Sequence, residues 1–173
     1  MLWPQTLKID TGKIMDFIVP ENEYISATRF WPKYQCDANG QNCAFGESGG
    51  PELPCPEGGC SPPIDTKFEA TFGSPHTDFN LDWYNSSQVD GWTLPYEMNF
   101  NCRDNPADSA YLNCKGLTQA ACPTQDLIGA EDNVSLTAFN PRFDNQYGGC
   151  YSPCAKLTYR NWNNPIAADK TPS

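Results

Sequence analysis

Nine cysteines against a single histidine, in a chain of 173 residues, constrain this fold more than any other feature. The spacings Cys36-x6-Cys43, Cys55-x4-Cys60 and Cys150-x3-Cys154 match no common zinc-ligand pattern. Short loops closed by Cys pairs among Gly and Pro read instead as a disulfide framework, which forms and persists outside the reducing cytosol. Sequence does not fix the connectivity. Sixteen Pro, thirteen Gly and an aromatic content of 13% disfavour a helical bundle and favour an all-β architecture of short strands. The length suits one domain with a core and a smaller appendage.

The balance of 11 Lys+Arg against 21 Asp+Glu gives a net charge of −10. Such a field repels phosphate backbones and excludes nucleic acid as a partner. No apolar run is long enough to span a bilayer as a helix. Two N-glycosylation sequons, Asn85-Ser86-Ser87 and Asn133-Val134-Ser135, fit an extracellular setting. The opening Met1-Leu2-Trp3-Pro4-Gln5 is not a secretory leader, and an odd cysteine count leaves at least one thiol unpaired. Both features lead to the expectation of a fragment of a longer chain.

The stretch from Ser61 to Pro95 organises the rest. Thr66 to Phe72 alternates with period two, placing Phe68, Ala70 and Phe72 on one face of a strand and Lys67, Glu69 and Thr71 on the other. A second run, Leu81 to Ser86, leads to Val89-Asp90-Gly91-Trp92, where Asp-Gly between apolar residues predicts a tight turn. Between Cys60 and Phe100 six acids (Asp65, Glu69, Asp78, Asp82, Asp90, Glu97) accompany one basic residue, Lys67. Acids and aromatics on short strands are the material of a carbohydrate or cation site.

Upstream, strand-like runs are predicted at Thr6–Ile9, Ile14–Val19 and Tyr24–Trp31. Read by itself, Arg29 in the last of these is a solvated strand arginine. From Cys36 to Pro63 periodicity disappears into a Cys-, Gly- and Pro-rich lobe, with Cys36–Cys43 and Cys55–Cys60 proposed as its staples. Within it, Gly46-Glu47-Ser48-Gly49-Gly50-Pro51 is close to a serine-protease nucleophile signature. That function is rejected, because no histidine precedes the serine and the only one, His76, sits in a Gly-Ser-Pro-His-Thr-Asp loop. Residues 124–173 are polar, Asn-rich and weakly periodic, with one helical turn predicted over Asp126–Ala130.

The features recur in a recognisable order: Arg29-Phe30-Trp31, Cys36, Gly49-Gly50, Cys55, Cys60, Pro62-Pro63, Thr66-Lys67-Phe68-Glu69 and Asp82-Trp83-Tyr84. They continue through Val89-Asp90-Gly91-Trp92-Thr93-Leu94-Pro95 and Cys122-Pro123 to Gly148-Gly149-Cys150-Tyr151-Ser152-Pro153-Cys154. This series resembles the thaumatin-like (pathogenesis-related group 5) family over about residues 7 to 160. The resemblance implies a flattened antiparallel β-sandwich with a loop-rich disulfide domain, truncated here. It places the sandwich at 1–35 and 64–120, a small disulfide-stapled lobe at 36–63 and part of the loop-rich domain at 121–173. By analogy Cys36–Cys43, Cys55–Cys60 and Cys122–Cys150 pair, while Cys102, Cys114 and Cys154 lack their partners.

The family's acidic cleft is lined by an Arg, a Glu and three Asp. Arg29 matches the Arg, Glu69 the Glu and Asp90 one Asp; a second Asp position carries Asn85, with Asp82 nearby, and the last lies beyond Ser173. The resemblance implies a secreted monomer that binds β-1,3-glucan or another wall polysaccharide, with a defence or antifungal role and a membrane surface as a further partner. Neither a cofactor nor a metal is expected. Weak endo-β-1,3-glucanase activity is the alternative, with Glu69 as general acid and Asp90 as second carboxylate, because glycoside hydrolysis needs such a pair. A partly buried strand among other acids is the setting that keeps a general acid protonated.

Overall fold

A computed structural model describes residues 4–48, 61–128 and 131–160 together with 162, 164 and 166. Among these residues, ten strands and one short α-helix follow in chain order: β1 (Ile25–Phe30), β2 (Lys67–Phe72), β3 (Trp83–Ser87), β4 (Gly91–Trp92) and β5 (Tyr96–Phe100). Then come β6 (Ala110–Cys114), β7 (Asp126–Ile128), β8 (Glu131–Val134), β9 (Thr137–Asn140), β10 (Gln146–Tyr151) and α1 (Pro153–Thr158). All pairings are antiparallel, in the order β1-β2-β3, β4-β10-β9, β5-β6 and β7-β8. The chain is therefore all-β, as its composition predicts.

The alternation in β2 does what period two requires. Phe68 stacks on Phe30 of β1 at 5.8 Å between centroids and meets Phe100 of β5 at 6.1 Å, while Tyr84 of β3 stacks on Phe100 at 3.8 Å. Aromatic packing thus joins the β1-β2-β3 sheet to the β5-β6 hairpin.

The most completely buried cluster lies elsewhere. Ile64, Cys122, Ile128, Val134, Leu136, Ala138, Cys150, Tyr151 and Ala155 form it, with Trp92 and Trp162 packed against it. The Cys122–Cys150 disulfide runs through this cluster and Cys36–Cys43 closes the small lobe. Asn140 Nδ2 donates to the carbonyls of Cys43 at 3.4 Å and Ala44 at 2.8 Å, fastening that lobe to β9.

Two local expectations are corrected. The runs Thr6–Ile9 and Ile14–Val19 form no strand: they find no partner ladder, and Ile9, Ile14 and Ile18 stay exposed. The turn predicted over Asp126–Ala130 is instead strand β7 over Asp126–Ile128, because pairing with β8 satisfies its backbone; residues 129 and 130 lie outside the described residues. The tight turn expected around Asp90-Gly91 does form, the Gly91 N–H donating to the Gln88 carbonyl at 3.2 Å, although it joins no two-residue hairpin. Gly91 opens β4 against Tyr151 at φ 132°, and a Cβ there would collide with the Cys150 carbonyl. The glycine is needed for close approach to β10.

Candidate functional site

β2 carries the site residues because its polar face is covered by neighbours on both sides. Arg29 of β1 stands opposite Glu69, and Asn85 of β3 stands opposite Glu69 on the other flank. Directly opposed residues in antiparallel strands have Cβ atoms about 4.5–5.5 Å apart, so the three side chains form one row. Arg29 Nε donates to Glu69 Oε1 at 2.9 Å. A bulge sets this register. Between Ile25 and Thr28 the pairing shifts, with Ala27 at φ 54° and its N–H given to Thr71 Oγ1 at 3.2 Å. Without that extra residue Thr28, not Arg29, would face Glu69.

Asp90 is brought to the same face of β2 but to a different partner. Lys67, two residues from Glu69, ion-pairs through Nζ with Asp90 Oδ2. Only 10% of the lysine side chain is exposed. Asp90 is anchored from behind, since Ser152 N–H donates to its carbonyl at 2.9 Å. The structure therefore joins Arg29, Glu69 and Asn85 in one row and ties Asp90 to Lys67. Asp82 plays a different part: its Oδ1 accepts from the Gly73 N–H at 2.8 Å, closing the connection between β2 and β3.

Glu69 is the ion-pair partner of Arg29, not a carboxyl isolated among other acids. The carboxyl that burial does perturb is Asp65, 1% exposed, pushed up to about 6 chiefly by desolvation. Its Oδ2 accepts from Ser48 Oγ and lies in the field of Lys67, which both offset the burial; its Oδ1 has no partner among the described residues. Ser48, the serine of the rejected protease signature, is thus tied to a buried carboxyl. Glu47 beside it meets Arg142 Nη2 at 3.2 Å and accepts from the Asn42 N–H at 2.7 Å.

Sequence reasoning did not assign Asp65, Lys67 or the Glu47–Arg142 pair to the site region. For Lys67 a signal existed, as the one basic residue among six acids between Cys60 and Phe100. For Asp65 there was none, since it is enclosed through contacts distant in sequence: Ser48 on its carboxylate, and Thr93, whose hydroxyl accepts from the Thr66 N–H at 3.2 Å.

Among the remaining expected residues, Cys102 and Cys114 are half-buried free thiols and Cys154 is an exposed one. The proposed Cys55–Cys60 pair lies outside the described residues. Both sequon asparagines, Asn85 and Asn133, are exposed. Among the described residues no cluster of His, Cys, Asp and Glu is arranged to hold a metal, and no helix is long and apolar enough to cross a membrane.

All-β architecture, disulfides and motif order define the class, and comparison with known proteins agrees: residues 3–164 match the thaumatin family. The chain belongs to that family. It is 31% identical over 137 residues to the pathogenesis-related thaumatin-like protein 3.7 of Cryptomeria japonica, covering 76% of this chain and 53% of that protein. It is 30% identical over 132 residues to thaumatin-like protein 1 of Pyrus pyrifolia, covering 75% of this chain and 47% of the relative. The pathogenesis-related 5 protein Jun a 3.0101 of Juniperus ashei is 29% identical over 117 residues, 66% of this chain and 46% of its own. The chain thus spans about half the length of the curated relatives it matches. No solved structure matches it.

Proposed function

We propose that this chain is part of a secreted, defence-related thaumatin-like protein that binds β-1,3-glucan or another wall polysaccharide along the Arg29–Glu69–Asn85 row, in the family's acidic cleft. One observation carries the reading: three adjacent strands present a guanidinium, a carboxylate and a carboxamide in register, held by the 2.9 Å Arg29–Glu69 bond. Such a row offers donors and acceptors to successive sugar hydroxyls. Trp83, opposite Thr71 on the same face and 70% exposed, adds a flat apolar surface for a sugar ring. The disulfides and the pathogenesis-related names of two relatives support secretion and defence.

Binding is favoured over hydrolysis because each proposed catalytic carboxylate already has a cation: Glu69 has Arg29, and Asp90 has Lys67. A weak endo-β-1,3-glucanase would need one of them to donate a proton and the other to act as base or nucleophile. Co-sedimentation with insoluble linear β-1,3-glucan tests the reading, with reducing ends assayed in the supernatant. Retention of the chain, weakened several-fold by Arg29→Ala and without new reducing ends, is expected. Reducing ends that vanish in Glu69→Gln would establish the hydrolase instead. Loss of neither retention nor product in both variants would remove the row from the function.

A further inference from the structure

A second site of different chemistry lies in the β9–β10 region, remote in sequence from the Glu69 row. A cavity of about 320 Å³ opens between β9, β10, α1 and the segment after α1. Its walls are fixed by packing. Trp162 lies against Gly148, where a Cβ would collide with the indole. Asn164 Nδ2 donates to the Lys156 carbonyl at 2.8 Å and the Tyr159 carbonyl at 2.7 Å, holding this segment to the end of α1. A pocket built this way is preformed.

The lining has one charge. Among the described residues that line it, Lys156 is ionisable as a cation and none is a carboxylate. The lysine is 8% exposed, its ammonium stands 4.9 Å from the centroid of the Tyr151 ring, and burial lowers its pKa. A largely buried ammonium with an aromatic face beneath it and, among the described residues, no carboxylate lining the cavity with it selects a single negative charge. Around it the Thr137 hydroxyl and the Asn145 amide line the same cavity and make no side-chain hydrogen bond among the described residues. The Trp162 indole provides a flat wall. The volume is at the lower limit for small-molecule pockets, so it suits one ring-sized molecule and not a chain.

We propose that this cavity binds a compact hydroxylated monocarboxylate of hexuronate size, its carboxylate on Lys156 and its hydroxyls on Thr137 and Asn145, with one ring face against Trp162. The site would recognise an acidic sugar unit, where the Glu69 row takes a neutral one.

Isothermal titration of the chain with sodium glucuronate, with glucose and with sodium acetate, at matched ionic strength, tests this. Glucuronate is expected to saturate, with glucose and acetate each at least tenfold weaker. Asn145→Asp keeps an exposed position at φ 54° that Asp tolerates, and puts a like charge beside the ligand. It should weaken glucuronate at least tenfold while leaving the melting curve in place. Lys156→Met should do the same and erase the preference over glucose. Glucose or acetate binding as tightly as glucuronate would overturn the assignment, as would unchanged affinity in folded Asn145→Asp. Absence of any heat at ligand concentrations on the order of tens of millimolar would overturn it too.

Discussion

The β1-β2-β3 sheet and the β9–β10 region use similar strands for opposite ends. In the first, burial is partial: β1 and β3 contain no fully buried side chain, and Trp83 and Tyr84 are exposed. In the second, Cys150 and Tyr151 are almost entirely enclosed, a disulfide crosses the cluster and Asn140 reaches across to the small lobe. The half-exposed sheet offers polar side chains in register to a partner. The enclosed one supplies stability and confines the second cavity to its margin. A face that recognises must stay hydrated, and the energy that holds it in place has to come from elsewhere.

The sharpest way to break this contrast is a pair of matched truncations. Ile64→Ala removes buried methylenes from the enclosed core and should cost about 2–5 kcal/mol, measured by urea unfolding. Leu81→Ala, 64% exposed before β3, should change stability by no more than about 0.5 kcal/mol. Equal losses would erase the distinction between the regions.

Asp65 joins the two, lying beside Lys67 and next in sequence to the core residue Ile64. Its folded pKa of about 6 exceeds the ordinary carboxylate value of 3.8, so the folded chain binds this proton more tightly than the unfolded one. Stability contributed through this group therefore falls as pH rises between those values, and the full penalty, on the order of 3 kcal/mol, stands above about pH 6. Asp65→Asn should stabilise the chain at neutral pH, with the advantage shrinking as the buffer is taken towards pH 4 in thermal melts. An advantage independent of pH would show that folding leaves the carboxyl's pKa unshifted.

Lys67→Met leaves Asp90 without its partner at a site only 33% exposed on the acid's side, and should cost about 1–3 kcal/mol. Adding Asp90→Asn should recover part of that loss, which a double-mutant cycle would read. The smallest effect is expected at the Arg29–Glu69 bond: with the arginine side chain 64% exposed, Glu69→Gln should move stability by less than about 1 kcal/mol. Any large change in glucan retention at that position would then reflect recognition, not unfolding.

Much of the fold was legible where one strand face met one face of the core. The alternation from Thr66 to Phe72 predicts β2 almost to its ends, and cysteine spacing with Pro and Gly content predicts short strands stapled by disulfides. Residues 124–173 were illegible as a core, because their burial comes from three strands of two or more segments closing over Tyr151, with few apolar residues in any one of them. Thr6–Ile9 and Ile14–Val19 misled in the other direction, since apolar alternation makes a strand only where a ladder is available.

The sequence by itself determined the class of fold, the polar face of β2 and the residue types available for binding. It could not determine which of them meet. Nothing in Ser26-Ala27-Thr28 announces a bulge, because Ala is not a residue that favours a positive φ; yet that one extra residue puts Arg29 opposite Glu69. Likewise only the approach of β10, through Gly91, anchors the strand beside which Asp90 reaches Lys67 and not the Glu69 row. Local pattern specifies which face a side chain takes, whereas strand register and long-range closure decide its neighbour.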